Sequence, residues 1–395
     1  MKITSVEIVP INHKHKGRLI FSSGPTPASD EFIILRIKTD EGLEGIGSAY
    51  AFSDAPHLTA GCSREGAMCL MKDLGTLLIG QDPLRISYNL GLLERAMSGW
   101  FSENHYVLSY FDHALYDLKG KALNLPVYEL LGGIRRDSIP LEHIVSFLPT
   151  PEDVAEEAKR AVDAGFKSVK VHINNNPENA KARVKAARKA LGPDVPIAID
   201  MGMAYAAPDA ARLLEYLDKE YKLNFAEQPL HPYNVEGHKL LRTMTDVPLT
   251  ADHSGMSLKQ AYDYIKLNVF DNYHCLLTRV GGIDRAVKYC NMLETAHLNY
   301  QICNMDNSIA AAAGAHFAVS RSDRGGRFLD ESALYMYLHG TYDTKSITDD
   351  IVKEQAMVIE NGTMHVPKGP GLGLELDEEM LKRYAAPGLN IITVK

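Results

Sequence analysis

The sequence lacks the features that would place it in a membrane or in an oxidising compartment. It has no run of about 18 apolar residues, the length that a membrane-spanning helix needs. Its start, MKITSVEIVPI, has no apolar core of a signal peptide. The five cysteines are odd in number and form no Cys-x-x-Cys pair, which is typical of a reducing compartment. We therefore expect a cytoplasmic protein with no membrane partner.

Long blocks of like charge and a dinucleotide-binding motif are also absent. The 395 residues carry a formal net charge of −8, with both signs interspersed, which argues against nucleic acid as a partner. No Gly-x-Gly-x-x-Gly follows a strand-like run, so a dinucleotide-binding fold is disfavoured. With 45% apolar residues the chain can bury a large core, and its length suggests more than one domain.

Two regions differ in their hydrophobic pattern. Residues 1–50 read as antiparallel strands and residues 64–125 as helices. From about residue 138, eight short apolar runs alternate with helical stretches, which predicts a parallel barrel. The fold class we expect is therefore an α+β capping domain with an α/β barrel. The expected boundaries are 1–130 for the capping domain, 131–350 for the barrel and 351–395 for a C-terminal segment that returns to the capping domain.

Three acidic residues end three successive apolar runs of the predicted barrel. Asp200, Glu227 and Asp252 are 27 and 25 residues apart, close to the roughly 30 residues of one strand–helix unit. The carboxyl ends of barrel strands meet at the rim that holds the active site, so the three carboxylates should converge. One acidic residue alone is usually a helix cap or a surface charge, but three together need a cation between them. Oxygen ligands favour Mg²⁺, with Mn²⁺ second.

The preceding unit carries a basic pair. In FKSVKVHINNN, Lys170 and His172 share one face of a strand, because successive side chains alternate. His172 lies 28 residues before Asp200, which places it one unit upstream on the same rim. An interior pair that is only salt-bridged or hydrogen-bonded is the alternative interpretation. Beside three converging carboxylates, a catalytic role is favoured.

At these residues the sequence resembles the enolase superfamily, in its mandelate racemase and muconate lactonizing branch. AID, AEQP and TADHS match the three metal-ligand motifs, and DHALYDLKGKALNLPVYELLGG matches the end of the capping domain. The resemblance covers essentially the whole chain. It implies a modified TIM barrel, (β/α)7β, an essential Mg²⁺ at Asp200, Glu227 and Asp252, a small carboxylic acid substrate and a homo-oligomer. The reaction it implies begins with removal of a proton α to a carboxylate, giving an enediolate held by the metal.

Two positions depart from the racemases and cycloisomerases of that branch. The racemases pair an Asp, five residues before the Gly-Gly of strand six, with a His on strand seven. Here these positions are Leu276 and Asn304, and the second lysine of cycloisomerases would also fall at Leu276. Acid-sugar dehydratases of the superfamily have Arg-x-Tyr on strand two, and they resemble this chain in Asp252-His253 and in the tail GLGLELDEEMLKRY. By that likeness His172 occupies the position of a catalytic tyrosine.

These observations predict an acid-sugar dehydratase that forms a 2-keto-3-deoxy acid. His172 is the expected general base or acid, because a free imidazole has a pKa of about 6.5. Lys170 is expected to steady the substrate carboxylate, and the reverse assignment of the two roles stays open. A racemase, epimerase or cycloisomerase is the alternative, with His274 as the inward-facing base opposite strand two. A non-catalytic acid-binding protein is the remote alternative.

Substrate specificity is expected from the ends of the last two barrel strands and from two segments of the first domain. Asn304 and Asp330 are the predicted substrate contacts at strands seven and eight. The segments are the loop over 14–30, which is rich in Gly, Pro and Ser, and AYAFSDAPH at 49–57.

Overall fold

The fold was obtained as a computed structural model. It describes residues 1–14, 20–21, 24–25, 29–49, 63–97, 105–304, 307–322, 328–332, 350–353 and 358–395. The strands are β1 (Ile3–Lys14), β2 (Ile20–Phe21), β3 (Gly24–Pro25), β4 (Ser29–Thr39), β5 (Glu44–Ser48), β6 (Ile139–Val145), β7 (Ser168–His172), β8 (Ile197–Asp200), β9 (Leu223–Glu227), β10 (Leu249–Ala251), β11 (Asn272–Cys275), β12 (Asn299–Asn304), β13 (Asp330–Ser332), β14 (Val358–Glu360), β15 (Thr363–His365) and β16 (Ile392–Val394).

Helices follow most of these strands. They are α1 (Arg64–Thr76), α2 (Ile86–Met97), α3 (Tyr106–Leu123), α4 (Val127–Leu130), α5 (Pro151–Asp163), α6 (Pro177–Leu191), α7 (Ala207–Tyr221), α8 (Val235–Arg242), α9 (Leu258–Leu267), α10 (Leu277–Val280), α11 (Ile283–Thr295), α12 (Ser308–Val319) and α13 (Glu378–Arg383). Within the described ranges, no helix is both long and apolar enough to cross a membrane.

The first sheet is antiparallel, with the strand order β16-β1-β4-β5. Alternating apolar residues of β1, such as Val6 and Ile8, form a core with residues of α1 and α3, such as Met71 and Leu115. β16 pairs with β1, so the C-terminal end of the chain completes this sheet. The hairpin of β14 and β15 instead pairs with β6, which belongs to the second sheet. The exact domain boundaries remain predictions.

Eight parallel strands, β6 to β13, form a closed barrel. They follow one another in chain order, and β13 pairs with β6 to close the ring. The predicted combination of an α+β capping domain with a TIM-type barrel is therefore confirmed. Val169 and Val171 are fully buried in the core between the strands and the surrounding helices. The alternation of side chains leaves Lys170 and His172 on the interior face of β7.

Local signals set where the barrel helices begin. Thr150 and Asp153 form a capping box at the start of α5. The side chain of Asn176 caps α6 by accepting the first free backbone N–H groups of that helix. A proline follows each cap, at the position where its missing N–H costs nothing. The Asn-rich stretch after His172 is therefore explained in part by the start of α6.

Two buried aspartates of α3 hold the parts of the fold together. Asp112 accepts the backbone N–H groups of Ile283 at 2.6 Å and Asp284 at 3.0 Å, in the first turn of α11. Asp117 accepts one N–H from β5 at 2.9 Å and that of Leu372 at 2.8 Å. α3 thus connects the capping sheet, the barrel and the C-terminal segment.

Much of the predicted specificity region lies outside the described residues. This applies to 15–19, 22–23 and 26–28 of the first segment and to 50–57 of the second. Within the first segment, β2 and β3 form a short antiparallel pair.

α3 packs against β5 at a glycine, which gives a test of the fold. A Cβ on Gly47 would lie 2.0 Å from the carbonyl oxygen of Tyr110. Gly47→Ala should therefore lower the free energy of unfolding by about 1–3 kcal/mol or more, measured by urea denaturation. Gly91→Ala is the control, because a Cβ there, in α2, meets nothing within 4 Å and should add about 0.5–1 kcal/mol. Equal stabilities of the two variants would contradict this packing.

Candidate active site

Charged side chains fill the C-terminal end of the barrel interior. The group consists of Lys170, Glu227, Asp252, His274 and Glu331, which are 1–9% exposed. Bulky apolar residues usually occupy this part of a barrel. Burying charge is costly unless each group is paired, so such a cluster points to chemistry rather than to stability.

Lys170 lies between two carboxylates. Its Nζ donates to Glu227 Oε2 at 2.5 Å and to the two carboxylate oxygens of Glu331 at 3.0 and 2.7 Å. Burial disfavours the charged form, but Glu227 and Glu331 outweigh it and raise the pKa of Lys170 well above its usual value. Lys170 is therefore an ammonium group, which suits it to hold a carboxylate rather than to take a proton.

His172 lies two residues after Lys170 on β7, closer to the C-terminal rim of the barrel and beside Asp200. Its Nδ1 is 3.3 Å from Asp200 Oδ2. The other oxygen of Asp200 accepts the backbone N–H of Gly202 at 2.7 Å. Burial, only partly offset by Asp200, lowers the pKa of His172. Its imidazole is therefore neutral near pH 7 and can accept a proton.

His274 reaches the same carboxylates from the opposite wall, because β11 lies half-way round the barrel from β7. Its Nδ1 is 3.5 Å from Glu227 Oε1 and 3.6 Å from Asp252 Oδ1, and its Nε2 is 3.1 Å from Glu331 Oε1. Burial opposes protonation, but Glu227 and Glu331 outweigh it and raise the pKa of His274 to about 9. Lys170 and His274 thus approach the two oxygens of Glu227 from two sides.

Glu227 and Asp252 have the chemistry of a divalent-cation site. Ligand atoms of Glu227, Asp252 and His274 lie within 4.8 Å of one another. Asp200 is outside that group of atoms, but it is the register neighbour of Glu227 on the adjacent strand. Burial and then the charge of Asp200 raise the pKa of Glu227 to about 8. A bound cation would relieve this repulsion, so the predicted ligands fit Mg²⁺, which prefers carboxylate oxygen.

Two basic side chains, Arg279 and His253, lie against Asp252. Arg279 Nη1 donates to its Oδ1 at 2.6 Å, and His253 Nε2 lies 3.0 Å from its Oδ2. Burial raises the pKa of a carboxyl group, but Arg279 and His253 outweigh it and hold the pKa of Asp252 well below its usual value. Asp252 is therefore an anion in this arrangement.

The carboxylate of Asp330 is engaged by Arg136 and by β12, and its predicted substrate role stays a prediction. Its carboxylate pairs with Arg136 and accepts the N–H of Ile302 at 2.6 Å. Neighbouring side chains of a strand point to opposite faces, so Glu331 takes the interior position instead. Asn304 ends β12 with its backbone opposite Ser332. The Asn304 side chain lies outside what the structure describes, so its role stays a prediction.

Sequence reasoning missed Glu331 and Arg279. FLDES contains two adjacent acidic residues, and a strand of three residues gives no pattern that tells which one faces inward. Arg279 stands two residues before the Gly-Gly pair at 281–282, and nothing in the sequence spacing indicated Asp252 as its partner. His274 was recognised as inward-facing, but its contact with three carboxylates depends on the barrel being closed.

Family comparisons agree with this architecture. The family described as "Mandelate racemase / muconate lactonizing enzyme, N-terminal domain" matches residues 5–132. "Enolase C-terminal domain-like" matches residues 153–380, more than half of the chain. The chain belongs to the mandelate racemase/muconate lactonizing branch of the enolase superfamily.

Within this branch the chain is similar to enzymes that isomerise their substrates. It is 28% identical to the N-succinyl-L-Arg/Lys racemase of Bacillus cereus, over 97% of both chains. The crystal structure of that racemase superposes over 100% of both chains with a TM-score of 0.87 at 27% identity. The chain is also 28% identical to the hydrophobic dipeptide epimerase of Enterococcus faecalis, over 82% of this chain and 88% of the epimerase.

The structures of such relatives include bound metal. A dipeptide epimerase from Enterococcus faecalis, complexed with Mg and the dipeptide L-Leu-L-Tyr, matches with a TM-score of 0.82 and 25% identity, over 95% of this chain and 100% of that one. These similarities make the chain an enzyme of the branch. The predicted resemblance to acid-sugar dehydratases finds no support in them, because the relatives are racemases, epimerases and cycloisomerases.

Metal binding gives the test of the carboxylate cluster. Glu227→Gln keeps the shape of the side chain and removes one negative charge, so Mg²⁺ affinity measured by calorimetry should fall by at least about 10–100-fold. Glu236→Gln, on the exposed face of α8, is the matched control and should bind like the wild type. Unchanged Mg²⁺ affinity of Glu227→Gln would show that the ion binds elsewhere.

Proposed function

We propose that this chain is a metal-dependent racemase or epimerase of a small carboxylic acid, with Mg²⁺ as its cofactor. The observation that supports it most is the approach of ionisable groups from opposite walls of the barrel, Lys170 and His172 from β7 and His274 from β11. Inverting a carbon beside a carboxylate needs a proton removed from one face and a proton delivered to the other. The racemase and epimerase relatives support the same reaction class.

Each residue has a distinct part in this proposal. Lys170, which is held as an ammonium, would bind the substrate carboxylate. His172 would remove the α-proton from the face of the substrate turned toward β7, and His274 would deliver a proton to the opposite face. In the reverse direction His274 would remove the proton and His172 would deliver it. When bound, Mg²⁺ supplies positive charge at the substrate carboxylate and makes the adjacent C–H more acidic.

Dehydration of a hydroxylated acid is the second candidate. It is favoured by Leu276, which is 2% exposed and stands where cycloisomerases of the branch carry their second lysine. His274 stands two residues earlier, so it is deeper in the barrel by about 6.6 Å of strand rise. Elimination needs one base and an acid on a single face, which His172 alone can serve.

Proton exchange in D₂O separates the two reactions. The panel should contain N-acylated amino acids and dipeptides, the substrate types in the names of the relatives, together with acid sugars. We expect C2 epimers to interconvert with deuterium incorporated at C2, followed by proton NMR. A 2-keto acid that forms without the other epimer would establish dehydration instead.

Two histidine variants test which group serves which face. His172→Asn and His274→Asn should each slow epimer interconversion by about 10²–10⁴-fold. Each should also retain α-proton exchange for the one epimer whose base is intact, because that base can still remove the proton. His231→Asn, at an exposed position, is the control and should leave both rates unchanged. If His274→Asn retains full interconversion, His274 is not the second base.

A further inference from the structure

Three possible metal ligands, which offer nitrogen, sulfur and oxygen, line the barrel wall that faces Asp200, Glu227 and Asp252. They are His274 on β11, Cys303 on β12 and Glu331 on β13, three consecutive strands of the barrel. One ligand atom from each lies within 4.8 Å of the other two. All three side chains are 1–3% exposed. Asp200, Glu227 and Asp252 come instead from the ends of the three preceding strands.

The strand register holds these donors close to a coordinating arrangement. Cys303 is directly opposite Glu331 on the neighbouring parallel strand. His274 Nε2 is 3.1 Å from Glu331 Oε1. Two ligands of one tetrahedral ion with bonds of about 2.1 Å are about 3.4 Å apart, so this pair needs little movement. Glu331 also accepts Lys170, but a carboxylate has about four lone-pair positions and can bind both.

The two nitrogens of the His274 ring face carboxylates of different strands. Its buried Nδ1 has no hydrogen-bond partner among the described residues. The nearest carboxylate oxygens, on Glu227 and Asp252, are 3.5 and 3.6 Å away, longer than a hydrogen bond. The other nitrogen, Nε2, lies 3.2 Å from Gln301 Oε1 and 3.1 Å from Glu331 Oε1, so it is the ring atom placed to bind an ion together with Glu331.

Donor chemistry selects the ion. Mg²⁺ takes oxygen ligands, whereas a thiolate with an imidazole selects a softer cation such as Zn²⁺. We propose that His274, Cys303 and Glu331 form a second metal site, specific for a thiophilic divalent cation such as Zn²⁺, and that its occupation stops turnover. On binding, the Cys303 thiol releases its proton to solvent and its sulfur donates an electron pair to the ion, without any change of oxidation state.

Inhibition is expected because the ion would bind side chains that the proposed reaction uses. Coordinated His274 could no longer exchange a proton with substrate, and coordinated Glu331 would share its charge between the ion and Lys170. The inhibitory part therefore rests on the proposed function. Binding itself does not, because it needs only the three donors.

Cadmium is the spectroscopic probe for this site. Cd²⁺ titrated into the full chain saturated with Mg²⁺ should give a cadmium–thiolate charge-transfer band in the ultraviolet at one equivalent. Cys303→Ser should lose the band and bind Zn²⁺ more than about 100-fold more weakly, beyond the 10–100-fold effect of an outer-shell group. Cys69→Ser is the control, because Cys69 is an exposed free thiol of α1 and should leave the band intact.

A second measurement does not depend on the fold of Cys303→Ser. X-ray absorption at the zinc edge, on wild-type and Cys69→Ser protein with Mg²⁺ and one equivalent of Zn²⁺, should show one Zn–S distance of about 2.3 Å. A shell of oxygen and nitrogen only, or a cadmium band that survives in folded Cys303→Ser, would overturn the site.

Activity then separates the site from the proposed function. Zn²⁺ should inhibit the wild type in the presence of excess Mg²⁺, and Cys303→Ser should resist it. Zinc binding at Cys303 without inhibition would overturn the inhibitory role alone. Absence of any α-proton exchange in Mg²⁺-loaded protein would overturn the proposed function and leave the binding result standing.

Discussion

The ion pair of Lys170 with Glu227 and Glu331 is the constraint on which the site depends. A charged amine inside a closed barrel is tolerated only when opposite charges and hydrogen bonds replace its water. Here the amine comes from β7 and its partners from β9 and β13, so three walls of the barrel must keep their register for the charge to be paired. Removing one partner of such a pair typically costs about 3–5 kcal/mol. The same pairing keeps the ammonium at the level of the carboxylates, where the proposed function places the substrate acid.

Electrostatics then divides the interior into two walls. On the first wall, Asp200 ends β8, Glu227 ends β9 and Asp252 directly follows β10. A hard cation would relieve the repulsion between these carboxylates. The facing wall carries nitrogen, sulfur and one carboxylate. In the proposed function the first wall holds the cation, and His274 on the facing wall exchanges a proton with the substrate.

Much of the fold was predictable because it rests on short-range patterns. The spacing of Asp200, Glu227 and Asp252 follows from the length of one strand–helix unit, and the inward face of Lys170 follows from alternation within a strand. Which of Asp330 and Glu331 faces the barrel interior could not be predicted in this way, because it depends on how β13 closes against β6. Leu276 led to the expectation of a dehydratase, since its position suggested that one face had no base; the contacts of His274 across the barrel are tertiary and leave no trace in sequence spacing.

The contact of Asp112 with α11 has a consequence for the glycine pair that precedes that helix. Gly282 has φ of +101°, and a Cβ there would lie 2.3 Å from Asp112 Cγ. Its lack of a side chain therefore makes room for a carboxylate from the other domain, besides permitting the turn. A side chain at Gly282 would therefore displace Asp112 from the first turn of α11. A rigid rotation of the capping domain away from α11 would break the two hydrogen bonds of Asp112 and expose a buried carboxyl group, whose pKa burial raises to about 8.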